Sequence, residues 1–393
     1  MGAVGLFALS SRIWLINYKQ ISTSRLNWGL GILTILLIIS CALAQYPQEA
    51  WLGLANFVPF FWLFIALKEL INQPRRLKQL SWVLIIPSLP IVVLGFAQMY
   101  LLWDTPPWLE SILGWELIPQ GVPPGRMSSV FIYTNFLAVY LAIAFILALG
   151  LWLDTLYFCH SKAKHQTFLF LTIILLADIT GLVLTSSRNA WGLAVISFMA
   201  YSLFMSWRWL IWAVTGAATV VLWASFAPNL GGTHLRKIVP AFFWARLSDR
   251  SYERPVETLR ITQWEFCWNL IKERPLFGWG LRNFSPLYEA KMNYWFGHPH
   301  SLYLMLGAET GIIATLLLLG IVGATVYKAF ILLNNCKFSS SKLIYFSYVI
   351  VFICCILFNL SDVTIFDLRV NTIIWIILAA VCGIAFPQER SLF

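Results

Sequence analysis

The chain has 393 residues, 60% of them hydrophobic and 11% charged, with a formal net charge of +10 and a mean hydropathy of +0.76. No soluble domain of that length can hide so much apolar surface, so the bilayer is its solvent. The positive charge then reads as positive-inside loops and attraction to anionic lipid or phosphate groups, not as nucleic-acid binding.

In chain order, residues 1–10 are apolar but short and lack the basic n-region of a signal peptide, which suggests an interfacial segment or an abbreviated first span. Apolar runs long enough to cross a ~30 Å core follow at about 27–45, 50–67, 81–103, 130–153 and 167–184. Five more lie at about 189–206, 209–226, 298–327, 343–360 and 371–387. The expected fold is all-α and polytopic, with about 10–12 transmembrane helices if the N-terminus or the 104–129 segment also enters the membrane. Each span is read as a helix because a lone segment in lipid must satisfy its backbone internally.

One set of loops carries Arg12, Lys19 and Arg25, then Arg75, Arg76 and Lys78, then Lys162 and Lys164, Arg208, and finally Lys328, Lys337 and Lys342. The opposite connections, at 46–49, 104–129, 186–188 and 361–369, are poor in Lys and Arg. The positive-inside rule therefore places both termini in the cytoplasm and residues 228–297 outside, in the periplasm where there is one. Three parts follow: N-terminal transmembrane helices over 1–226, a large external loop over 227–297 and C-terminal transmembrane helices over 298–393. Within the loop, residues 257–274 read as an amphipathic helix with Leu259, Phe266, Leu270 and Ile271 broadly on one face, stopping before Pro275.

Four candidate external sites stand out. Gly125-Arg126-Met127-Ser128-Ser129 precedes Thr134-Asn135 at the start of a span, and Ser186-Ser187-Arg188-Asn189 forms a very short turn. Arg260 lies on the amphipathic helix, and His300 is followed by Ser301, Tyr303 and, deeper in the same span, Glu309. Guanidiniums around a membrane-embedded cleft suit a diphosphate, because Arg offers planar bidentate donors that keep their charge. A neutral histidine nearby can deprotonate a hydroxyl near physiological pH. Interfacial snorkelling is the plainer reading of Arg126 and Arg188, and a solvated helix charge that of Arg260. His298 reads as structural, and a pairing or positioning role suits Glu309, since a buried acid in a span is costly unless paired or functional.

There is no Walker loop, no His-Glu-x-x-His and no Cys-x-x-Cys pair. His298-x-His300 is a weak metal signal, and Asp362 and Asp367 are a poor substitute for a paired-Asp metal holder. A metal-free, cofactor-free mechanism is the expectation.

Four stretches, in order, resemble the O-antigen ligase and O-antigen polymerase superfamily of bacterial membrane glycosyltransferases. They are residues 125–138, residues 184–193, residues 260–284 with Arg274-Pro275-Leu276-Phe277-Gly278-Trp279-Gly280, and His300-Ser301-Leu302-Tyr303-Leu304 with Glu309-Thr310-Gly311. The resemblance implies a glycosyltransferase class C-like helical fold, an undecaprenyl-diphosphate-linked glycan donor and no metal. By residue, it implies that Arg188 and Arg260 hold the diphosphate and that His300 is the catalytic base. The Tyr303-Leu304 pair sets that register and selects His300 over His298. The family commonly has Asn after this histidine; here Ser301 stands there, which leaves open what orients the ring.

The expected function is transfer of a lipid-linked glycan to a glycan or lipid acceptor on the outer face of the inner membrane, as in lipopolysaccharide and other polysaccharide biosynthesis. Arg126 assists at the diphosphate, and Asn135, Tyr303 and Glu309 support the site. The partners are the lipid-linked donor, the acceptor and membrane lipids, with no nucleic acid. The rival class is a secondary transporter of a small anion such as bicarbonate, whose support is Asp178 and Glu309 within spans.

Overall fold

The computed structural model describes residues 2–160, 164–248 and 255–386; Met1 and Lys162, used above, lie outside them. Every regular element among the described residues is helical. Among the described residues, nine helices are long and apolar enough to cross a membrane: Arg25–Ala42, Pro47–Leu70, Pro74–Tyr100, Thr134–Phe158, Lys164–Leu184, Arg208–Phe226, Leu302–Asn335, Ser340–Phe358 and Leu368–Ala385. The chain is an all-α polytopic membrane protein.

Three expected segments fall outside that set. The run at 189–206 forms the helix Arg188–Phe204, whose 17 residues lie at the short end of the ~17–25 that cross a bilayer. The first helix holds the shorter apolar segment Phe7–Ile16, and 104–129 holds one short helix, Pro107–Leu113, among turns.

By contacts the chain forms two compact units, one of residues 1–84, 150–168 and 256–393 and the other of 85–149 and 169–255. In the first, Val58–Leu70 packs against both Gly2–Ile16 and Leu368–Ala385. Trp14 stacks on Trp62 with ring centroids 4.1 Å apart, and Phe61 meets Trp375 edge-on at 5.2 Å. In the second, Arg208–Phe226 packs against Arg188–Phe204 and the short helix Ala241–Ser248.

The loop motif between Arg274 and Gly280 has a structural use within the first unit. The helix Leu302–Asn335 breaks at Gly311, which has φ 79° and ψ 169°. A break frees backbone groups that lipid cannot satisfy. The loop satisfies them: Trp279 N–H donates to Ala308 O at 3.0 Å, Gly280 N–H to Glu309 O at 2.8 Å, and Ile312 N–H to Pro275 O at 2.8 Å. The approach is too close for side chains, since a Cβ at Gly311 would lie 2.1 Å from Leu276 O and one at Gly278 2.4 Å from Glu309 O. Glu309 is buried, and its carboxylate accepts from Phe284 N–H at 3.1 Å, so it ties the loop to the broken span.

Candidate functional site

The amphipathic segment forms the helix Arg260–Glu273, which packs on Leu302–Asn335. Its buried residues, Gln263, Cys267, Leu270 and Ile271, follow helical spacing, and Cys267 joins a cluster with Phe284, Tyr288 and Ala308. Leu259 departs from the expected face: it is the N-cap residue, in extended conformation, and is 37% exposed. Burial pushes the Cys267 thiol well above its ordinary pKa, so it is an apolar packing group and not a nucleophile. Trp264 donates from Nε1 to Pro299 O at 3.0 Å, fixing the turn that carries both histidines.

In that turn His300 takes φ 51°, a left-handed conformation uncommon for a residue with a side chain. Its N–H donates to His298 Nδ1 at 3.2 Å. Asp362, from the connection between Ser340–Phe358 and Leu368–Ala385, brings Oδ1 to 3.5 Å from His300 Nδ1 and 3.9 Å from His298 Nε2. At these lengths the pairs are close electrostatic contacts, and the buried His300 Nδ1 has no hydrogen-bond partner. Val363 N–H donates to Asp362 Oδ1 at 2.9 Å. The His298 ring stacks on Phe366 at 6.0 Å, and the His300 ring meets Phe296 edge-on at 5.4 Å.

Burial lowers the His298 pKa to about 4; Asp362 opposes the shift, while His300 and Arg260 add to it. Burial alone would raise the Asp362 pKa, but the two imidazoles and the Val363 N–H outweigh it and hold the carboxyl below its usual value. Asp362 is therefore an anion at neutral pH beside a neutral His298. His300 Nδ1 is the ring nitrogen turned toward that anion, which leaves Nε2 on the other side of the ring.

His298, His300 and Asp362 could also be read as metal ligands, since one donor atom from each lies within 4.8 Å of the others. The hydrogen bonding opposes this. His298 Nδ1 accepts the His300 N–H, so a neutral His298 carries its proton on Nε2, the atom that would have to ligate.

The remaining arginines lie in the second unit, around the turn before Arg188–Phe204. Arg126 donates from Nε to Thr185 O at 2.9 Å and from Nη2 to Asn135 Oδ1 at 3.0 Å. Met127 N–H adds a bond to Leu184 O at 3.0 Å. Arg246 donates from Nε to Ser186 O at 3.2 Å, and its helix meets Trp191 through Phe242 and Phe243 at 5.4 and 5.2 Å. Arg188, half-buried, opens the next helix. The turn thus draws the guanidiniums of Arg126 and Arg246 onto one short stretch of backbone just before Arg188. Ser186 stands at its tip with φ 51°.

Among the sequence candidates, Arg126 and Asn135 bond to one another, and His300 lies in the same unit as Arg260. Tyr303 donates its hydroxyl to Ile356 O at 2.9 Å, so it ties the start of its span to the neighbouring helix. Asp362 and Arg246 were missed. Asp362 is 62 residues beyond His300, and its value as a partner lies in a fold-level contact. Asp367, its apparent pair, is instead a cap: Oδ1 accepts from Arg369 N–H and Val370 N–H, both at 3.0 Å.

The multi-span helical fold defines a polytopic membrane protein, with a histidine–carboxylate cluster in its first unit and an arginine-lined turn in its second. Residues 170–319 match the family described as O-Antigen ligase, so that segment is similar to the members of that family. The match spans Arg188, Arg260, His300, Tyr303 and Glu309, leaves Arg126, Asn135 and Asp362 outside, and lends no support to the transporter alternative. No curated protein matches the chain.

Proposed function

We propose that the protein is a metal-independent glycosyltransferase that moves a glycan from an undecaprenyl-diphosphate donor to a glycan or lipid acceptor on the outer membrane face. Both termini would then be cytoplasmic and the loop at 227–297 external. The observation that carries the reading is His300 Nδ1 facing the buried Asp362 at 3.5 Å, on a turn at the head of a span. His300 Nε2 takes the proton of the acceptor hydroxyl as its oxygen attacks the anomeric carbon. The bond from that carbon to the diphosphate oxygen breaks, and the diphosphate leaves on its polyprenyl carrier. Attack from the opposite face inverts the anomeric centre. Arg188 and Arg260 hold the diphosphate through charge-assisted bonds. Arg126 assists by fixing the turn that presents Arg188, and Asp362 positions His300.

The test is donor consumption by detergent-purified protein, given an undecaprenyl-diphosphate oligosaccharide and candidate acceptors in the presence of EDTA. Product mass distinguishes a ligase from a polymerase. Turnover by the wild type that is lost in both His300→Ala and Arg260→Ala is the expected result. A protein that never binds the donor, or a product that retains the anomeric configuration, would overturn the reading.

A further inference from the structure

A crevice of about 390 Å³ opens in the first unit, within the ~300–1,000 Å³ range of ligand pockets. Arg25–Ala42 forms one wall, from Asn27 through Gly31 to Thr34, and Val58–Leu70 the other, with Phe61 and Trp62. Trp14 closes it from the first helix.

The crevice is apolar along its length and polar at one mouth. There Asn27 donates from Nδ2 to Ile21 O at 2.8 Å and accepts from the buried Lys68 Nζ at 3.1 Å. Lys19 and Arg25, both exposed, flank residues that line this mouth. The first 48 residues contain three bases, Arg12, Lys19 and Arg25, and no acid. In the crevice wall, the buried Nε1 of Trp62 has no acceptor. Apolar lining and exposed bases beside the mouth describe a ligand with a hydrocarbon chain and a negative headgroup.

We propose that this crevice is a binding site for one anionic phospholipid. An acyl chain lies along Gly31 and Phe61, and the phosphate lies against Lys19 and Arg25. The site is independent of the proposed transferase chemistry. Anionic headgroups are attracted to basic residues at a membrane surface, while the buried chain supplies the apolar contact.

The experiment reconstitutes the full chain in phosphatidylcholine vesicles doped with spin-labelled phosphatidylglycerol or spin-labelled phosphatidylcholine, and reads the immobilised population. A Cβ at Gly31 meets nothing within 4 Å, so Gly31→Phe places a ring in the crevice from an unobstructed Cβ, and Gly31→Ala leaves it open. Phosphatidylglycerol should be immobilised in the wild type and in Gly31→Ala, and released in Gly31→Phe. The double variant Lys19→Gln/Arg25→Gln should bind it about tenfold more weakly. Equal retention of both lipids, or retention unchanged by Gly31→Phe, overturns the proposal. So does displacement by undecaprenyl phosphate at concentrations that phosphatidylglycerol cannot match, which would assign the crevice to the donor's carrier.

Discussion

The first unit places a buried carboxylate at the centre of its rim site and gathers imidazoles around it, whereas the second places guanidiniums around backbone carbonyls at a short turn. In the first, Asp362 is a buried anion with two imidazole rings at 3.5 and 3.9 Å. In the second, the cations spend some N–H groups on fixing the backbone and keep their charge. A centred anion suits moving a proton, and clustered cations suit holding an anionic leaving group. Substitutions on the two sides should therefore fail in different ways.

The largest effect is expected at His300. His300→Ala should lower donor turnover by about 10²- to 10⁴-fold, the usual reach of general base catalysis, with donor affinity nearly unchanged. Asp362→Asn should fall between that variant and wild type in kcat, again with little change in KM, because the ring loses its anionic neighbour but keeps its nitrogen. Equal loss of binding in both variants would mean that the rim site holds substrate and does not move a proton.

Arg188 should behave in the opposite way. Arg188→Ala is expected to weaken donor binding about ten- to hundredfold, in line with losing one charge-assisted hydrogen bond. Arg188→Lys should recover only part of it, since an ammonium lacks the planar fork. Full recovery by Lys would reduce the turn to a point charge. Arg246→Ala should give a smaller loss, acting through the Ser186 carbonyl that it holds.

The third effect is on stability. Gly311→Ala forces a side chain into a left-handed conformation and against Leu276 O, so it should cost about 3 kcal/mol or more and visibly lower the thermal midpoint in detergent. A silent Gly311→Ala would show that the loop is not clamped to the broken span in solution.

This clamp also marks how far the sequence could be read. Spans, loops and the 260–273 helix were legible because hydropathy and helical spacing are local signals. The motif Glu309-Thr310-Gly311 was legible as a resemblance, but its physics was not: a helix break at Gly311 is visible only once Pro275–Gly280 is seen filling it. Asp362 escaped for the same reason. Its partner is 62 residues away, and Asp367 supplied a plausible but wrong companion until its capping bonds separated the two. The helix Arg188–Phe204 is two residues shorter at its end than the apolar run, because the backbone leaves the helix at Met205–Ser206.

A smaller effect comes from His298. Its folded pKa of about 4 lies below the ordinary value of 6.5, so the unfolded chain takes up the proton first. Between pH 6.5 and 4 the unfolded state binds more protons, and stability falls as pH falls. The loss approaches ~3 kcal/mol across that window if the whole shift is realised. Asp362, with its pKa held below the usual value, contributes its own loss only at still lower pH. His298→Gln should flatten the slope of thermal stability between pH 6.5 and 4, and an unchanged slope would assign it to other groups.

The smallest expected effect separates a positioning residue from one that touches substrate. Tyr303 gives its hydroxyl to Ile356 O, a carbonyl in the helix Ser340–Phe358, so the group is already committed inside the protein. Tyr303→Phe keeps the ring and loses that bond, a change of about 1 kcal/mol in stability by the usual net worth of a hydrogen bond. Turnover should fall less than tenfold, and it should fall with stability, because the bond acts by holding the head of the span that follows His300. A hundredfold loss of turnover in a variant as stable as wild type would instead put the Tyr303 hydroxyl on the substrate. It would also shift the boundary of the proton-handling site one helical turn into the membrane.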